Sequence, residues 1–295
     1  MTTVGDRLYE MGGVSPSSEF TTGNVFFVDN STGSNYVGAG TKSTEPFKTL
    51  AYAISQATAN NGDIIYLMPG HTETTTAVAL SKAGVTIKGI GRGRVRPTLT
   101  ATTAASDLLD VTAANVAIEN VRLVGAASGC TSLISVAAND FMCTGCSLEQ
   151  AATPLIGVIV TGGYDRFSFK DCIFLGTAAG PDAAIDLQGS GNCVDWTVQR
   201  CTFNYQSSAG LDEAGIRSDK TDTGVFVSDC RFIGMDATAI DFNSSSTGLL
   251  ERISVLSNNA TVAEMIDAGL CGFVDCRVSN AAKSGALIPA TTSTA

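Results

Sequence analysis

Seven segments of this 295-residue chain repeat one short pattern, in which apolar residues alternate with polar ones around an inward anchor that is usually cysteine. They read VAIENVRLVG from Val116, FMCTGCSLEQ from Phe141, FSFKDCIFLG from Phe167, WTVQRCTFNY from Trp196, VFVSDCRFIG from Val225, ERISVLSNN from Glu251 and FVDCRVSN from Phe273. The anchors are Val121, Cys146, Cys172, Cys201, Cys230, Ile253 and Cys276, at steps of 25, 26, 29, 29, 23 and 23 residues, and VTIKGI ending at Ile90 extends the series backward by 31. A second short apolar stretch precedes each anchor at a matching offset: LLDV from Leu108, LISV from Leu133, LIGVIV from Leu155, AIDL from Ala184, GIRS from Gly215, AIDF from Ala239 and MIDA from Met265. Each repeat therefore holds at least two strands joined by turns, with no helix to carry a crossover. Parallel strands joined in this way stack only as a coil, one turn upon the next. About nine rungs at roughly 4.8 Å each give a prism on the order of 40 to 45 Å long.

The start of the coil has its own signature. From Phe47, the residues Leu50, Ala51, Ile54 and Ala57 fall on one helical face, with Pro46 just inside the start and Asn60-Asn61-Gly62 as a stop, so a helix is expected over about 46–59. Asp63 to Met68 then reads as a buried strand closed by Pro69-Gly70. An uncovered first turn would offer its edge to other chains, so the helix is expected to cap it. The run from Pro46 to Gly70 resembles the first rung of the pectate-lyase-like superfamily of right-handed parallel β-helices, in which P-F-x-T-L-x-x-A-I-x-x-A is followed by G-D-x-I-x-L-x-P-G. The resemblance spans roughly residues 25–280 and implies an all-β, single-stranded right-handed parallel β-helix. It implies no particular activity, because lyases, hydrolases and inert virion proteins share that opening.

Composition narrows the function classes. Net charge is −10, and the densest basic patch is only Arg92, Arg94 and Arg96, so no nucleic-acid partner is expected. No segment approaches the length of an apolar membrane span, and no leader-like start is seen, so synthesis in a cytoplasm without membrane association is expected. The nine cysteines are expected as free thiols, with the anchors stacked inward as small apolar groups. Cys143 and Cys146 have C-x-x-C spacing but no partner pair, so no metal site and no cofactor are expected.

Carboxylates are the candidates for chemistry. Asp110, Asp186, Asp241 and Asp267 share one position of the repeat, and Arg217 fills it between Asp186 and Asp241. Two rungs put those two aspartates roughly 9 to 10 Å apart, at the upper edge of the separation in inverting glycosidases. An ion-pair ladder accounts for Asp186, Arg217 and Asp241 equally well. Asp171, Arg200, Asp229 and Asp275, which precede anchors, put single carboxylates on separate rungs without the dense cluster a calcium site wants. The hydrolase branch of the superfamily uses adjacent aspartates and Gly-His-Gly; this chain has no Asp-Asp pair, and its single histidine, His71, reads as a solvated turn residue.

Residues 1–24 precede the first strand and carry Leu8, Tyr9, Met11 and Val14 among small polar residues, as expected of a docking arm, and residues 281–295 form a nearly uncharged tail. The opening VGDRLYEMGGV ahead of FFVD resembles small capsid-associated proteins of tailed phages. That resemblance implies a non-enzymatic structural virion protein, a capsid decoration or cement protein on the capsid surface. Its implied partner is the major capsid protein, reached through Leu8, Tyr9, Met11 and Val14, and its implied assembly a homotrimer. The alternatives are a tailspike-like polysaccharide depolymerase or lyase using Asp186, Arg217 and Asp241, and a passive glycan-binding module.

Overall fold

Because strand side chains alternate between faces, a coil of short parallel strands can fill its inside with every second residue and leave the others to the surface. The computed structural model has this architecture. It describes residues 21–101, 106–152, 155–176, 182–205, 214–235, 238–257, 265–279 and 286–287. The arm residues Leu8, Tyr9, Met11 and Val14 lie outside the described residues, as does most of the 281–295 tail.

Three sheets run the length of the coil, with ten, ten and eight strands among the described residues. Sheet 1 begins with Val25–Val28 and Ile64–Leu67, sheet 2 with Thr72–Thr75 and sheet 3 with Val78–Leu80. From Ile64 onward the chain visits sheets 1, 2 and 3 in turn and repeats, down to Ile266–Asp267; partial turns flank this series. The strands therefore do not divide into the nine even rungs expected from the sequence. The tail contributes one short strand, Ala286–Leu287, antiparallel to Arg277–Ser279. All other strand pairings are parallel.

Three inward rows form one continuous core. In sheet 1 the row runs Phe26, Ile65, Ile87, Ile118, Cys143, Phe169, Val198, Val227, Leu250, Phe273. In sheet 2 it includes Phe174, Phe203 and Phe232, whose rings stack nearly parallel with centroids 4.6 and 4.4 Å apart. In sheet 3 it is a column of Leu109, Ile134, Val158, Ile185, Ile216 and Ile240. Trp196 is fully buried against Phe167 and Phe242.

The anchor position sits at the corner between sheets 1 and 2. There each cysteine thiol donates to a sheet 1 carbonyl one turn below: Cys146 to Ile118, Cys172 to Cys143, Cys201 to Phe169, Cys230 to Val198 and Cys276 to Leu250, over 3.4 to 3.8 Å. A thiol is small enough for the corner and still offers a weak donor, which explains cysteine rather than valine there. All nine cysteines are buried.

The residue before each anchor turns the corner with positive φ: Asn120, Gly145, Asp171, Arg200, Asp229, Arg252 and Asp275, at 51 to 64°. Glycine, asparagine and aspartate tolerate this conformation; arginine does so rarely. Both arginines here are held by bidentate pairs with the aspartate one turn below, Arg200 to Asp171 at 2.7 and 2.9 Å and Arg252 to Asp229 at 2.5 and 2.9 Å.

Leu50–Gln56 is the only α-helix among the described residues. It is shorter than the 46–59 expected because Phe47 lies extended, exchanging backbone hydrogen bonds with Phe27 and Asp29, and Thr49 caps the start through its hydroxyl, which accepts from the Tyr52 N–H. The helix buries Leu50, Ala53 and Ile54 against Val25–Val28, Ile64–Leu67 and Val78–Leu80, including the end strands of sheets 1 and 3.

Candidate functional site

Sheet 3 brings the expected carboxylates into one outward row. The register aligns Asp186 with Arg217, Arg217 with Asp241 and Asp241 with Asp267 on successive turns, and Asp110 heads the same row through Ser135 and Ile159. Each of these residues sits one place beyond an inward aliphatic residue, so strand alternation alone points it outward.

Asp186 is nevertheless only 1 % exposed. Its two oxygens accept from Arg217 Nε at 3.1 Å and Nη2 at 2.9 Å, and Oδ2 also accepts from Gln188 Nε2 at 2.5 Å. A carboxylate in this state is compensated on both oxygens, as a buried charge requires. Asp241, on the other side of Arg217, is half-buried and makes no ion pair with it. Burial pushes its carboxyl up, with the charges of Asp267 and Asp219 adding to the rise and Arg217 opposing it. Asp110 is raised as well, by burial and by Asp107. The row therefore holds an arginine-bound carboxylate, Asp186, two turns from Asp241, whose carboxyl burial raises. Among the described residues no group of three or more His, Cys, Asp or Glu is arranged to hold a metal ion.

The second set, Asp171, Arg200, Asp229 and Asp275, lies at the corner of sheets 1 and 2 and supplies turn geometry. Hydrogen bonds from Arg200 and Arg252 lower the carboxyls of Asp171 and Asp229.

His71 corrects the sequence reading. Instead of a solvated turn residue it is fully buried. Its Nδ1 accepts from the Asn30 N–H at 3.0 Å, and its Nε2 lies 3.3 Å from Glu73 Oε2 without a well-directed hydrogen bond. Glu73 in turn accepts from the Leu50 N–H at 2.9 Å, at the start of the helix.

Sequence reasoning missed three further buried polar groups. Burial acts to raise the Asp63 carboxyl, but donors from Thr58, Asn24 and Asn61 outweigh it and hold the group below its ordinary value. Asp222 accepts from the Cys193 N–H at 2.8 Å, while its Oδ2 and the Trp196 Nε1 are both buried without a hydrogen bond. Gln150 accepts from the Tyr205 hydroxyl and donates to the carbonyls of Leu155 and Ala183. Only the Asn-Asn-Gly-Asp run around Asp63 carried a local signal for any of these.

No family model and no curated protein sequence matches the chain. Among solved structures, a rhamnogalacturonan lyase superposes with a TM-score of 0.58 and 14% identity, covering 87% of this chain and 74% of that one. A pectin methylesterase from carrot superposes with a TM-score of 0.57 and 15% identity, covering 90% and 86%. The fold is a right-handed parallel β-solenoid. A viral protein, ORF18 of Geobacillus virus E2, is similar at a TM-score of only 0.37 and 12% identity over 77% of this chain and 55% of that one, too low to carry an argument. These likenesses establish the fold alone. One expectation is corrected: a non-enzymatic chain is not supported, because solved structures that share its fold include a rhamnogalacturonan lyase and a pectin methylesterase.

Proposed function

We propose that this protein is a structural component of a tailed-phage virion, a decoration or cement protein attached to the major capsid protein through residues 1–24. The observation that carries the reading is the uninterrupted interior: three inward rows run through all turns without a gap, and bidentate Asp–Arg pairs tie neighbouring turns at the surface. Such a rod is stiff and offers proteases few loose backbone segments. The helix Leu50–Gln56 covers the first turn and keeps the rod from pairing edge to edge. Attachment falls to Leu8, Tyr9, Met11 and Val14, whose burial on a partner contributes roughly 1.5 to 3 kcal/mol each before the ordering cost is subtracted. Co-sedimentation with undecorated capsids tests the reading: the full chain should pellet with the particles, and a Leu8→Ser/Tyr9→Ser/Met11→Ser/Val14→Ser variant should stay in solution. Equal pelleting of the two would refute attachment through the arm.

A second reading places polysaccharide processing on the sheet 3 row. It is favoured by the buried Asp186–Arg217 pair beside the raised carboxyl of Asp241, on a fold shared with a rhamnogalacturonan lyase and a pectin methylesterase. Here Asp241 acts as the proton donor and Asp186 as the arginine-held carboxylate. Turnover of a host surface polysaccharide that disappears in both Asp186→Asn and Asp241→Asn would support it; turnover that survives both would remove it.

A further inference from the structure

The outer face of sheet 2 differs from the rest of a chain whose net charge is −10. Its outward residues from Ile173 onward form two rows. One reads Ile173, Thr202, Arg231, Ser254, Arg277 and the other Leu175, Asn204, Ile233, Leu256, Ser279, one residue per turn in register. Neither row contains a carboxylate. Ile173 is 41% and Leu256 43% exposed, with Leu175 beside Ile173 and Ile233 below Leu256 half-buried, so apolar side chains stand on three of four successive turns and Thr202 and Asn204 on the other. Arg231 and Arg277 are exposed and form no ion pair among the described residues, whereas Arg122, Arg166, Arg200, Arg217 and Arg252 each hold a carboxylate.

The complementary surface is on the same molecule. Sheet 3 presents Asp241 and Asp267 outward with no ion-pair partner among the described residues, and Asp219 stands close enough to raise Asp241 further. The heights match. Arg231 and Asp241 belong to the same turn, in strands Arg231–Met235 and Thr238–Phe242, and Arg277 follows Asp267 into the next turn. A like-charged group on one face, bracketed in height by unpaired arginines beside an apolar strip on another, fits a neighbour of the same kind set beside the first with little shift along the axis.

We propose that the outer face of sheet 2 is the contact for a second copy of this chain, laid alongside in parallel so that Arg231 and Arg277 of one copy meet the Asp241 and Asp267 row on sheet 3 of the next. The contact is heterologous, and because Arg231 and Asp241 lie on one turn, with Arg277 reaching back to Asp267 from the next, it closes into a ring rather than climbing into a filament. This gives the expected homotrimer a specific surface. The apolar strip supplies burial, and the charges set register and partner choice. Bringing arginines to Asp241 also relieves the crowding that it shares with Asp267 and Asp219 in a lone chain.

Sedimentation velocity of the full chain at micromolar concentration, without particles, tests the contact. The wild type should run as a discrete closed species, weakened by raising the salt to about 0.5 M because the Debye length falls to a few ångströms. Arg231→Glu/Arg277→Glu should loosen association at least tenfold. Adding Asp241→Lys/Asp267→Lys to the same chain should restore it, since the charges are then exchanged across the contact. Circular dichroism confirms that each variant is folded, and Leu256→Asp, on the exposed strip alone, provides a second disruption should the lysine variant fail to fold. A monomeric wild type overturns the proposal, as does unchanged association in the glutamate variant and in Leu256→Asp. Because no capsid is present, loss of this contact and loss of particle attachment are read in separate experiments.

Discussion

Removing the Glu73 carboxylate should loosen the helix from the first turn. Glu73 occupies the inward row of sheet 2, paired with Leu99, where every later turn carries an apolar residue. It is 3% exposed, accepts from the Leu50 N–H at 2.9 Å and faces His71 Nε2 at 3.3 Å. Glu73→Ala leaves the Leu50 N–H buried without an acceptor, at about 1 to 3 kcal/mol, and deprives the first helical turn of a favourable negative charge, at about 0.3 to 1 kcal/mol. A loss of about 3 kcal/mol corresponds to a fall in melting temperature of roughly 4 to 6 °C for a chain of this size. Glu73→Gln keeps an acceptor for Leu50 and should cost less than half as much. Glu119→Ala is the control, since Glu119 pairs with Lys88 in a partly exposed bridge worth about 1 kcal/mol or less. Thermal melts followed by circular dichroism give the magnitudes, and hydrogen exchange locates them: amides of Leu50–Gln56 should lose protection in Glu73→Ala, while those of the central turns keep theirs. A melting temperature within about 2 °C of the wild type, with the helix amides still protected, would refute the claim that this carboxylate anchors the helix.

Two further outcomes follow from the core. Burial raises the Asp222 carboxyl above its ordinary value, so its contribution to stability is full below the unfolded-state pKa and is lost as pH rises through the folded-state value; Asp222→Asn should therefore gain in melting temperature relative to wild type between pH 4.5 and 7.5, and a constant difference would contradict the assignment. Phe203 lies stacked between Phe174 and Phe232 and is fully buried, so Phe203→Ala should cost about 3 to 5 kcal/mol, and denaturant titration showing less than about 1 kcal/mol would mean the rings do not bear on the fold's stability.

The architecture was legible because it repeats. The anchors from Val121 to Cys276 recur at one corner, and period-two alternation alone puts Asp186, Arg217 and Asp241 on one outward row. What escaped the sequence was everything satisfied from far along the chain. His71 reads as a turn residue beside Pro69-Gly70, yet its partner Asn30 lies 41 residues away; the Leu50 N–H held by Glu73 is 23 residues off, and the Cys193 N–H held by Asp222 is 29. A local pattern cannot reveal a polar group whose hydrogen bonds close only when turns stack. The observed helix, Leu50–Gln56, is shorter than the periodicity from Phe47 suggests, because Phe47 has the spacing of a helical residue and is instead recruited as a short extended segment beside Val28. The pre-anchor residues looked like a lineup of possible ligands, whereas their common property is a backbone conformation.

That corner also limits how the molecule can change length. Its residues read Asp171, Arg200, Asp229, Arg252, Asp275 on successive turns, so the sign of the charge alternates with every step. Excising the single turn between Asp171 and Asp229, which carries Arg200, would set two aspartates on neighbouring steps and leave Asp171 without its arginine. Excising two consecutive turns would bring unlike charges together again. Along this stretch the rod has a parity: it can be shortened or extended in pairs of turns with its edge intact, but a change by one leaves a mismatch that the next generation of substitutions must mend.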